Sequence, residues 1–235
     1  MKSILFGIFF SIVLTNGLFA QTHVENSGAI NNVLGDYRFQ KVTDDNNYRF
    51  VEKISEIWGT PYLEKEFHPG KITTNEGIII SELQLQYNAC NDDIEFLKGE
   101  DRYVVDPKSM VKKAEFGGKV FSYIQYLADG KTQGGFFEIL TEGKLTLLIK
   151  YTVRFFEKEK PQPFGNQRPA RFDPPIKQYY LSFDEAPAKL ISNKKKLLEL
   201  FGNKMNEMES YISRNKLSIK EDESLKKITT YYNSL

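Results

Sequence analysis

Hydrophobic and polar residues alternate most regularly in the middle of the chain, between Glu115 and Lys158. Because successive side chains of a strand point to opposite faces, a period of two predicts a strand with one buried face. The clearest such face consists of Leu145, Leu147, Ile149, Tyr151, Val153 and Phe155. The opposite face, which we expect to be mostly exposed to solvent, carries Thr146, Leu148, Lys150, Thr152, Arg154 and Phe156.

Two further strands are predicted before this one, and short turns join all three. Residues 120–127 are rich in β-branched and aromatic side chains, and residues 136–140 continue the alternation. The Asp129-Gly130 pair predicts a turn after the first strand. Residues 141–143 end in glycine, which readily adopts positive φ, and they predict a hairpin connection. The stretch as a whole predicts an antiparallel β-meander.

Shorter strands are predicted on both sides of the meander. Within residues 77–88, apolar and polar residues alternate, which indicates a half-buried strand, and residues 94–97 form its hairpin partner. Residues 59–70 contain two X-Pro steps and are predicted to be extended or turning. The remaining predicted strands are residues 102–105, 111–116 and 178–183.

Five prolines between residues 158 and 175 interrupt the strand pattern. Proline has no N–H to donate to a sheet, so this segment is predicted to be a long crossing loop. In this interpretation Phe164 and Phe172 pin a simple connector. The alternative is that its basic residues form a partly polyproline surface for a partner. These residues are Lys158, Lys160, Arg168 and Arg171.

The last part of the chain changes from a period of two to helical spacing. Ser192 or Asn193 can cap a first helix, Gly202-Asn203 interrupts it, and another helix is predicted from about Glu221. An apolar stripe, which we expect to pack on the sheet, consists of Leu197, Leu198, Phe201, Met205, Met208, Ile212, Leu225 and Ile228.

These elements predict an α+β fold, with an antiparallel, curved β-meander and C-terminal α-helices packed on it. No linker separates two self-sufficient cores, so residues 37–235 are predicted to form a single globular domain. Its parts are a mainly β region (37–157), the Pro-rich crossing loop (158–175), a last strand (176–184) and the helices (192–235).

Residues 1–20 have the parts of a secretory signal peptide. Met1-Lys2 supplies a positive start, residues 4–14 are apolar, and the small residue Ala20 precedes polar Gln21. The apolar run is short beside the about 20 residues of a membrane-spanning helix. Cleavage is therefore predicted after Ala20, and the alternative is an uncleaved membrane anchor. Residues 21–36 are then a flexible mature N-terminus, and the protein is expected to be periplasmic or extracellular.

Composition limits the possible partners. The 235 residues are 40% hydrophobic and 27% charged, with a formal net charge of +1. This is ordinary globular composition, and it creates no long-range field that would attract nucleic acid. The single cysteine, Cys90, cannot form an internal disulfide, and it is interpreted as an incidental residue in a turn.

Few residues suit catalysis or metal binding. The two histidines, His23 and His68, complete neither a Ser-His-Asp set nor a zinc site. Residues 44–47 are acidic or amide side chains but lack the ligand spacing of a calcium loop. The glycine pairs are interpreted as turn glycines and not as phosphate-binding loops: Gly117-Gly118 and Gly134-Gly135.

Carboxylate pairs could in principle carry out hydrolysis at a suitable separation. Asp92 with Asp93, or Glu138 with Glu142, would supply such a pair, but a chain with 31 acidic residues contains such pairs by chance. We therefore expect no catalytic, cofactor-binding or metal-binding residues, and no cofactor.

Several motifs resemble those of one group of proteins. They are Gly59-x-Pro61-Tyr62-Leu63-x-x-Glu66-Phe67, Leu85-x-Tyr87-Asn88, Ile94-Glu95-Phe96, Phe136-x-Glu138-x-Leu140-x-Glu142-Gly143 and Tyr231-Tyr232-Asn233-Ser234-Leu235. On these motifs the chain resembles uncharacterised exported proteins of Bacteroidetes-type bacteria, whose signal ending is similar to Phe19-Ala20-Gln21. The resemblance implies an exported protein of a Gram-negative cell. It implies no activity and no functional residues.

Three functions are compatible with these observations. The leading hypothesis is an exported, non-catalytic cell-envelope protein that binds another macromolecule, such as another envelope protein, or has a structural role. The alternative is a carrier that holds an apolar small molecule or lipid in its curved sheet. A carboxylate-based hydrolase is the second alternative.

Overall fold

The computed structural model describes residues 57–159 and 168–235, together with the backbone of His23–Val24 and Phe39–Lys41. Several sequence predictions lie outside the described residues. They are the signal peptide (1–20), the cleavage after Ala20, most of the N-terminal segment 21–36, residues 44–47, and Phe164 in the crossing loop.

Most of the described chain forms one 12-stranded sheet, in the order β14-β13-β10-β9-β8-β7-β3-β4-β5-β6-β2, with β1 beside β4. The strands are β1 (His23–Val24), β2 (Phe39–Lys41), β3 (His68–Thr74), β4 (Ile79–Asn88), β5 (Asp93–Lys98), β6 (Asp101–Val105), β7 (Val111–Phe116), β8 (Lys119–Ala128), β9 (Lys131–Thr141), β10 (Leu145–Thr152), β11 (Phe155–Phe156), β12 (Arg171–Phe172), β13 (Ile176–Phe183) and β14 (Lys189–Leu190). The helices are α1 (Lys194–Leu200), α2 (Met205–Arg214) and α3 (Asp222–Ser234).

The sheet is antiparallel apart from the β1–β4 pair, and it curls into a half-barrel. Strands β8, β9 and β10 are consecutive antiparallel neighbours, as the alternation of their residues predicts. The predicted α+β fold, with a curved meander and C-terminal helices, is confirmed. Strands β11 and β12 form a separate two-stranded sheet.

One end of the large sheet folds back on itself and forms a small ring of strands. Strand β8 pairs with β7 only as far as Phe121, so the rest of that edge is open to another partner. The amide of Leu127 donates to the carbonyl of Ala188 (2.9 Å), and the amide of Ala188 donates to the carbonyl of Gln125 (2.8 Å). Because β14 follows Ala188 and pairs with β13, the ring runs β8-β9-β10-β13 and returns to β8.

The ring corrects one sequence prediction. The face of β10 that was expected to be mostly exposed points into the ring, where Leu148 packs with Phe137, Tyr180 and Ala188. Lys150, on the same face, is also buried. A period of two shows that a strand has one apolar face and one more polar face. It does not show whether another part of the chain covers the more polar face.

The main core packs against the curled sheet. Its largest members are aromatic side chains from β4, β8, β9 and β12, and they have almost no exposed surface: Tyr87, Phe121, Phe136 and Phe172. The rings of Tyr87 and Phe121 lie 5.0 Å apart, and those of Tyr87 and Phe136 meet edge to face at 6.5 Å. The high aromatic content of the chain is therefore used in packing.

The three C-terminal helices cover the face of β10 and β13 that points away from the ring of strands. Leu145, Leu147 and Leu181 of the sheet pack against the predicted apolar stripe, whose members are buried except for the partly buried Met205. Asn193 caps α1, since its side chain accepts a hydrogen bond from the amide of Lys196 (2.8 Å).

Gly134 and Gly135 lie inside β9, so their interpretation as turn glycines is wrong. A Cβ atom on Gly135 would lie 2.6 Å from both Asp92 Oδ2 and Lys150 Nζ, and one on Gly134 would clash with the ring of Tyr123. Glycine is needed here because other side chains approach the backbone closely. Gly117 and Gly118 do lie in a turn, with φ of +56° and +71°.

The sequence analysis predicted only an extended or turning segment at residues 59–70, whereas His68–Thr74 forms strand β3. Pro69 pairs with Gln84 of β4, but it lies beyond the last residue pair between β3 and β7, Gly70 with Phe116. Its missing N–H therefore removes no hydrogen bond from that ladder. In the predicted crossing loop, Phe172 is buried as expected, but Arg171–Phe172 forms strand β12.

Candidate functional site

The most exposed large apolar side chain among the described residues is Trp58, the only tryptophan of the chain, with 69% of its surface accessible. Trp58 forms a parallel bridge with Arg171, which in turn pairs with Phe156. The three residues thus lie side by side on neighbouring stretches of chain, whose backbones are about 4.8 Å apart. We call Trp58, Phe156 and Arg171 the Trp58 surface.

The local sequence explains why these side chains face outward. Phe155 and Phe172, their neighbours in the strand alternation, point into the main core, and their rings lie 5.2 Å apart. The amide of Phe172 donates to the carbonyl of Trp58 (2.9 Å), which fixes the backbone there. Gly59 has a φ of +90°, and a Cβ on it would lie 2.6 Å from the Phe172 carbonyl oxygen, so the two segments can approach only with glycine.

The Trp58 surface combines aromatic rings with a positive charge. The guanidinium carbon of Arg171 lies 4.4 Å from the centre of the Phe156 ring, within cation–π range. Arg171 Nε is 3.6 Å from Asp173 Oδ1. Phe156 remains 37% exposed. A partner could therefore meet exposed aromatic side chains with one oriented guanidinium beside them.

A second polar group lies where the ring of strands meets the main core, and we call it the Lys150 centre (Lys150, Asp92, Tyr87 and Phe136). Lys150 Nζ is 2.6 Å from Asp92 Oδ1 and donates to the Phe136 carbonyl (3.0 Å). Asp92 Oδ1 also accepts a hydrogen bond from the Tyr87 hydroxyl (2.7 Å). The amide of Phe136 donates to both carboxylate oxygens of Asp92 (3.2 Å each).

Burial governs the protonation behaviour of this centre. It lowers the pKa of the Lys150 ammonium, against the opposing effect of the nearby Asp92 charge. Burial, followed by the charge of Asp92, raises the pKa of the Tyr87 phenol well above its ordinary value. Tyr87 therefore stays protonated and continues to donate to Asp92.

A third polar group, the Glu95 centre, consists of Glu95, Arg102, Tyr62 and Asn88. The Glu95 side chain is only 3% exposed and accepts hydrogen bonds from Asn88 Nδ2 (2.8 Å), Arg102 Nη1 (3.1 Å) and the Tyr62 hydroxyl (3.4 Å). Burial raises the pKa of Glu95 to about 7, although the Asn88 hydrogen bond acts in the opposite direction. Burial also lowers the pKa of the Arg102 guanidinium.

The carboxylate pairs considered for hydrolysis are committed to separate partners. Asp92 contacts Lys150, whereas Asp93 Oδ1 lies 2.7 Å from Lys108 Nζ. Glu138 Oε2 accepts a hydrogen bond from the Tyr151 hydroxyl (2.5 Å), and Glu142 Oε1 lies 2.8 Å from Lys113 Nζ. Neither pair therefore offers two carboxylates that share one open space. The described part of the chain contains no group of three or more His, Cys, Asp or Glu that could hold a metal.

The other residues singled out from the sequence lie apart from these groups. His68 Nε2 lies 2.7 Å from Glu64 Oε2, beside a cavity of about 10 Å³ that also borders Gln86 and has room for one water molecule. Cys90 is half-buried against the main core. His23 belongs to β1, whose side chains are outside the described set.

Sequence reasoning missed both Trp58 and Lys150. The signal for Trp58 was that the only tryptophan stands directly before a glycine, outside any predicted strand. The signal for Lys150 was a single cation within the otherwise apolar run from Leu147 to Tyr151. Both signals depend on neighbours that are distant in sequence, such as Arg171 and Asp92.

No protein-family model, curated protein or solved structure matches this chain. Among the described helices, none has the length and apolar character needed to cross a bilayer.

Proposed function

We propose that this chain is an exported, non-catalytic cell-envelope protein that binds another envelope protein through the Trp58 surface. The observation that carries the proposal is the 69% exposure of Trp58 on a backbone that Phe172 holds in place. Export itself rests on the signal-like residues 1–20 and on the resemblance described above.

The composition of the Trp58 surface supports a protein partner. Tryptophan and arginine are the residues most enriched among those that dominate binding energy at protein interfaces. An exposed tryptophan does not help a monomer to fold, whereas burial against a partner would remove its large apolar area from water. Phe156 extends the same apolar area next to the Arg171 guanidinium.

The filled core of the protein favours a function at its surface. It argues against a carrier that encloses an apolar molecule. A carrier needs an unfilled interior, often of about 300 Å³ or more. Here Tyr87, Phe121, Phe136 and Phe172 form a packed aromatic core and are almost completely buried.

The polar groups support a non-catalytic role in the same way. Asp92, Asp93, Glu138 and Glu142 each have a cation or a hydroxyl as partner, so the carboxylates considered for hydrolysis serve to hold strands together. A hydrolase would instead need two carboxylates facing a space that admits the substrate.

Site-specific photo-crosslinking in the native host tests the proposal. A photo-reactive phenylalanine analogue replaces Trp58 in one variant and Leu190, an exposed apolar residue of β14, in a control variant. We expect one discrete crosslinked protein from position 58 and not from position 190. With that protein purified, Trp58→Ala should weaken binding by about 30-fold, as expected for a central interface residue, while Leu190→Ala should not. Equal crosslinking at both positions, or unchanged affinity of Trp58→Ala, would contradict the proposal.

A further inference from the structure

The Lys150 centre brings an amine and a carboxyl group together inside the protein. Lys150 Nζ lies 2.6 Å from Asp92 Oδ1, and the Lys150 side chain is 9% exposed. Asp92, with 26% of its side chain exposed, belongs to the turn between β4 and β5, whereas Lys150 is in β10. The two residues therefore connect parts of the chain that are distant in sequence.

The surroundings of this pair are mostly aromatic. Lys150 Nζ lies 5.1 Å from the centre of the Phe137 ring and 5.7 Å from that of Tyr126. Gly135 lies directly beside both reacting groups, and any larger residue there would come within 2.6 Å of each. Aromatic rings on one side and a bare backbone on the other hold the amine against the carboxyl group.

We propose that Lys150 and Asp92 condense to form an intramolecular amide crosslink. The new bond joins Lys150 Nζ to Asp92 Cγ. One Cγ–O bond of Asp92 breaks, and its oxygen leaves as water with two protons. Both protons come from the Lys150 ammonium, and the third stays on the amide nitrogen. No oxidant, reductant or cofactor is consumed. The reaction thus needs only the two side chains and a route for protons.

The structure supplies groups that would assist each stage. The neutral amine is the nucleophile, and burial lowers the pKa of Lys150 in favour of that form. The Tyr87 hydroxyl, 2.7 Å from Asp92 Oδ1, is placed to pass a proton to the departing oxygen. The Phe136 amide donates to both oxygens of Asp92, so it can stabilise the negative charge that develops on the tetrahedral intermediate.

Two further contacts position the reactants. The Phe136 carbonyl accepts a hydrogen bond from Lys150 Nζ (3.0 Å), which orients the amine. Lys108 Nζ donates to the backbone carbonyl of Asp92 (2.9 Å) and also lies 2.7 Å from Asp93 Oδ1, so it holds the turn that carries Asp92. The nearby Lys108 charge also contributes to the lowered pKa of Lys150.

Physical chemistry favours the amide in this setting. Fixing two reacting groups in contact is equivalent to effective concentrations of about 10⁵–10⁸ M, which offsets the tendency of water to hydrolyse the product. Burying a charged pair is costly, and condensation replaces the two charges with a neutral amide. The product would also serve a chain whose single cysteine excludes an internal disulfide.

Mass spectrometry of the full chain tests the proposal directly. Trypsin does not cut after a lysine whose amine is acylated, so the folded protein should yield one branched fragment. That fragment joins residues 72–98 to residues 145–154 and weighs one water molecule less than the two peptides together. We expect it from nearly all molecules of the folded protein, and none from protein kept unfolded in denaturant.

Two variants sharpen the test. Asp92→Asn should form the same link with loss of ammonia in place of water, while Lys150→Arg keeps the positive charge but should give only linear peptides. Linear peptides at full mass from the wild-type protein would overturn the proposal. So would loss of water confined to residues 72–98 without a link, because that result indicates a succinimide at an aspartate. Analysis of fragments also excludes confusion with cyclisation of an N-terminal glutamine at Gln21.

Discussion

The side chain of Asn233 and the backbone of Leu145 exchange two hydrogen bonds. The amide of Leu145 donates to Asn233 Oδ1 (2.7 Å), and Asn233 Nδ2 donates to the Leu145 carbonyl (2.8 Å). Gly143 makes this approach possible, since a Cβ atom on it would lie 2.5 Å from Asn233 Nδ2. The last turn of α3 is thereby attached to the start of β10.

Asn233→Ala should lower the free energy of unfolding by about 1–3 kcal/mol, because two hydrogen bonds to the backbone of the buried Leu145 are lost. Urea unfolding followed by circular dichroism measures the change. Asn206→Ala, at an exposed position of α2, is the matched control and should change stability by less than about 0.5 kcal/mol. Equal effects of the two substitutions would show that the Asn233 contact contributes nothing.

A chain that ends at Asp184 should aggregate or unfold without cooperativity. It lacks all three helices, so Leu145, Leu147 and Leu181 would lose their cover. It also lacks residues 186–190, which close the ring beside β8. Size-exclusion chromatography and thermal melting measure the outcome, and removal of the exposed Leu235 alone is the control. A monomeric chain that melts like the full protein would show that the helices are an independent appendage.

Stability should fall as the pH rises from about 5 to 8, through the titration of Glu95. The pKa of Glu95 is about 7 in the folded protein, above its ordinary value of 4.5. A raised carboxyl pKa means that the folded state binds the proton more tightly than the unfolded state. Stability is therefore highest below the unfolded pKa and declines as the pH rises to the folded pKa, by up to about 3 kcal/mol from this residue.

Urea unfolding of Glu95→Gln at pH 5 and pH 8 isolates this effect. The neutral side chain should remove most of the decline between the two pH values. Glu100→Gln, in the exposed turn between β5 and β6, should leave the decline unchanged. If Glu95→Gln and the wild type show the same decline, the Arg102 contact already balances the cost of burying the charge.

Gly135→Ala should destabilise the protein by about 1–3 kcal/mol, because the added methyl group would lie 2.6 Å from both Asp92 Oδ2 and Lys150 Nζ. Thermal melting measures the loss. The side chains that must move are those of the Lys150 centre, so the substitution should also reduce the yield of the proposed crosslink. An unchanged melting temperature would mean that these side chains rearrange without cost.

Cys90→Ser should change the free energy of unfolding by less than about 1 kcal/mol. Cys90 is half-buried, and its backbone amide donates to the Pro61 carbonyl (3.1 Å), a contact that serine retains. A chemical denaturation curve measures the effect. A much larger loss would show that the sulfur atom itself is an important part of the main core.

The alternation of residues and the turn chemistry were sufficient to predict the meander and the helices. Leu145 and Leu147 show the buried face of β10, and Asn193 marks the start of α1, because these are local properties of the chain. The opposite face of β10 could not be assigned in this way. Lys150 is buried because the return of the chain at Ala188 closes the ring. The residues near Lys150 in the sequence do not indicate that this closure occurs.

The Trp58 surface shows the same limit. Gly59 and Phe172 fix the position of Trp58, but they are more than a hundred residues apart in the sequence. Strand β3 was missed for a different reason: the X-Pro steps of residues 59–70 predicted only an extended or turning segment. The β3–β7 pairing ends at Gly70, so Pro69 removes no hydrogen bond on that side of the strand.

The return of Ala188 to β8 has a consequence for the order in which the protein can fold. Any chain that emerges with its N-terminus first, from a ribosome or from a secretion channel, exposes β8 to β10 well before residues 186–190 appear. Until then Leu148 faces open solvent and one edge of β8 lacks hydrogen-bond partners. The emerging chain therefore passes through a stage at which that edge can pair with another molecule, and we expect it to depend on holdase chaperones for as long as that stage lasts.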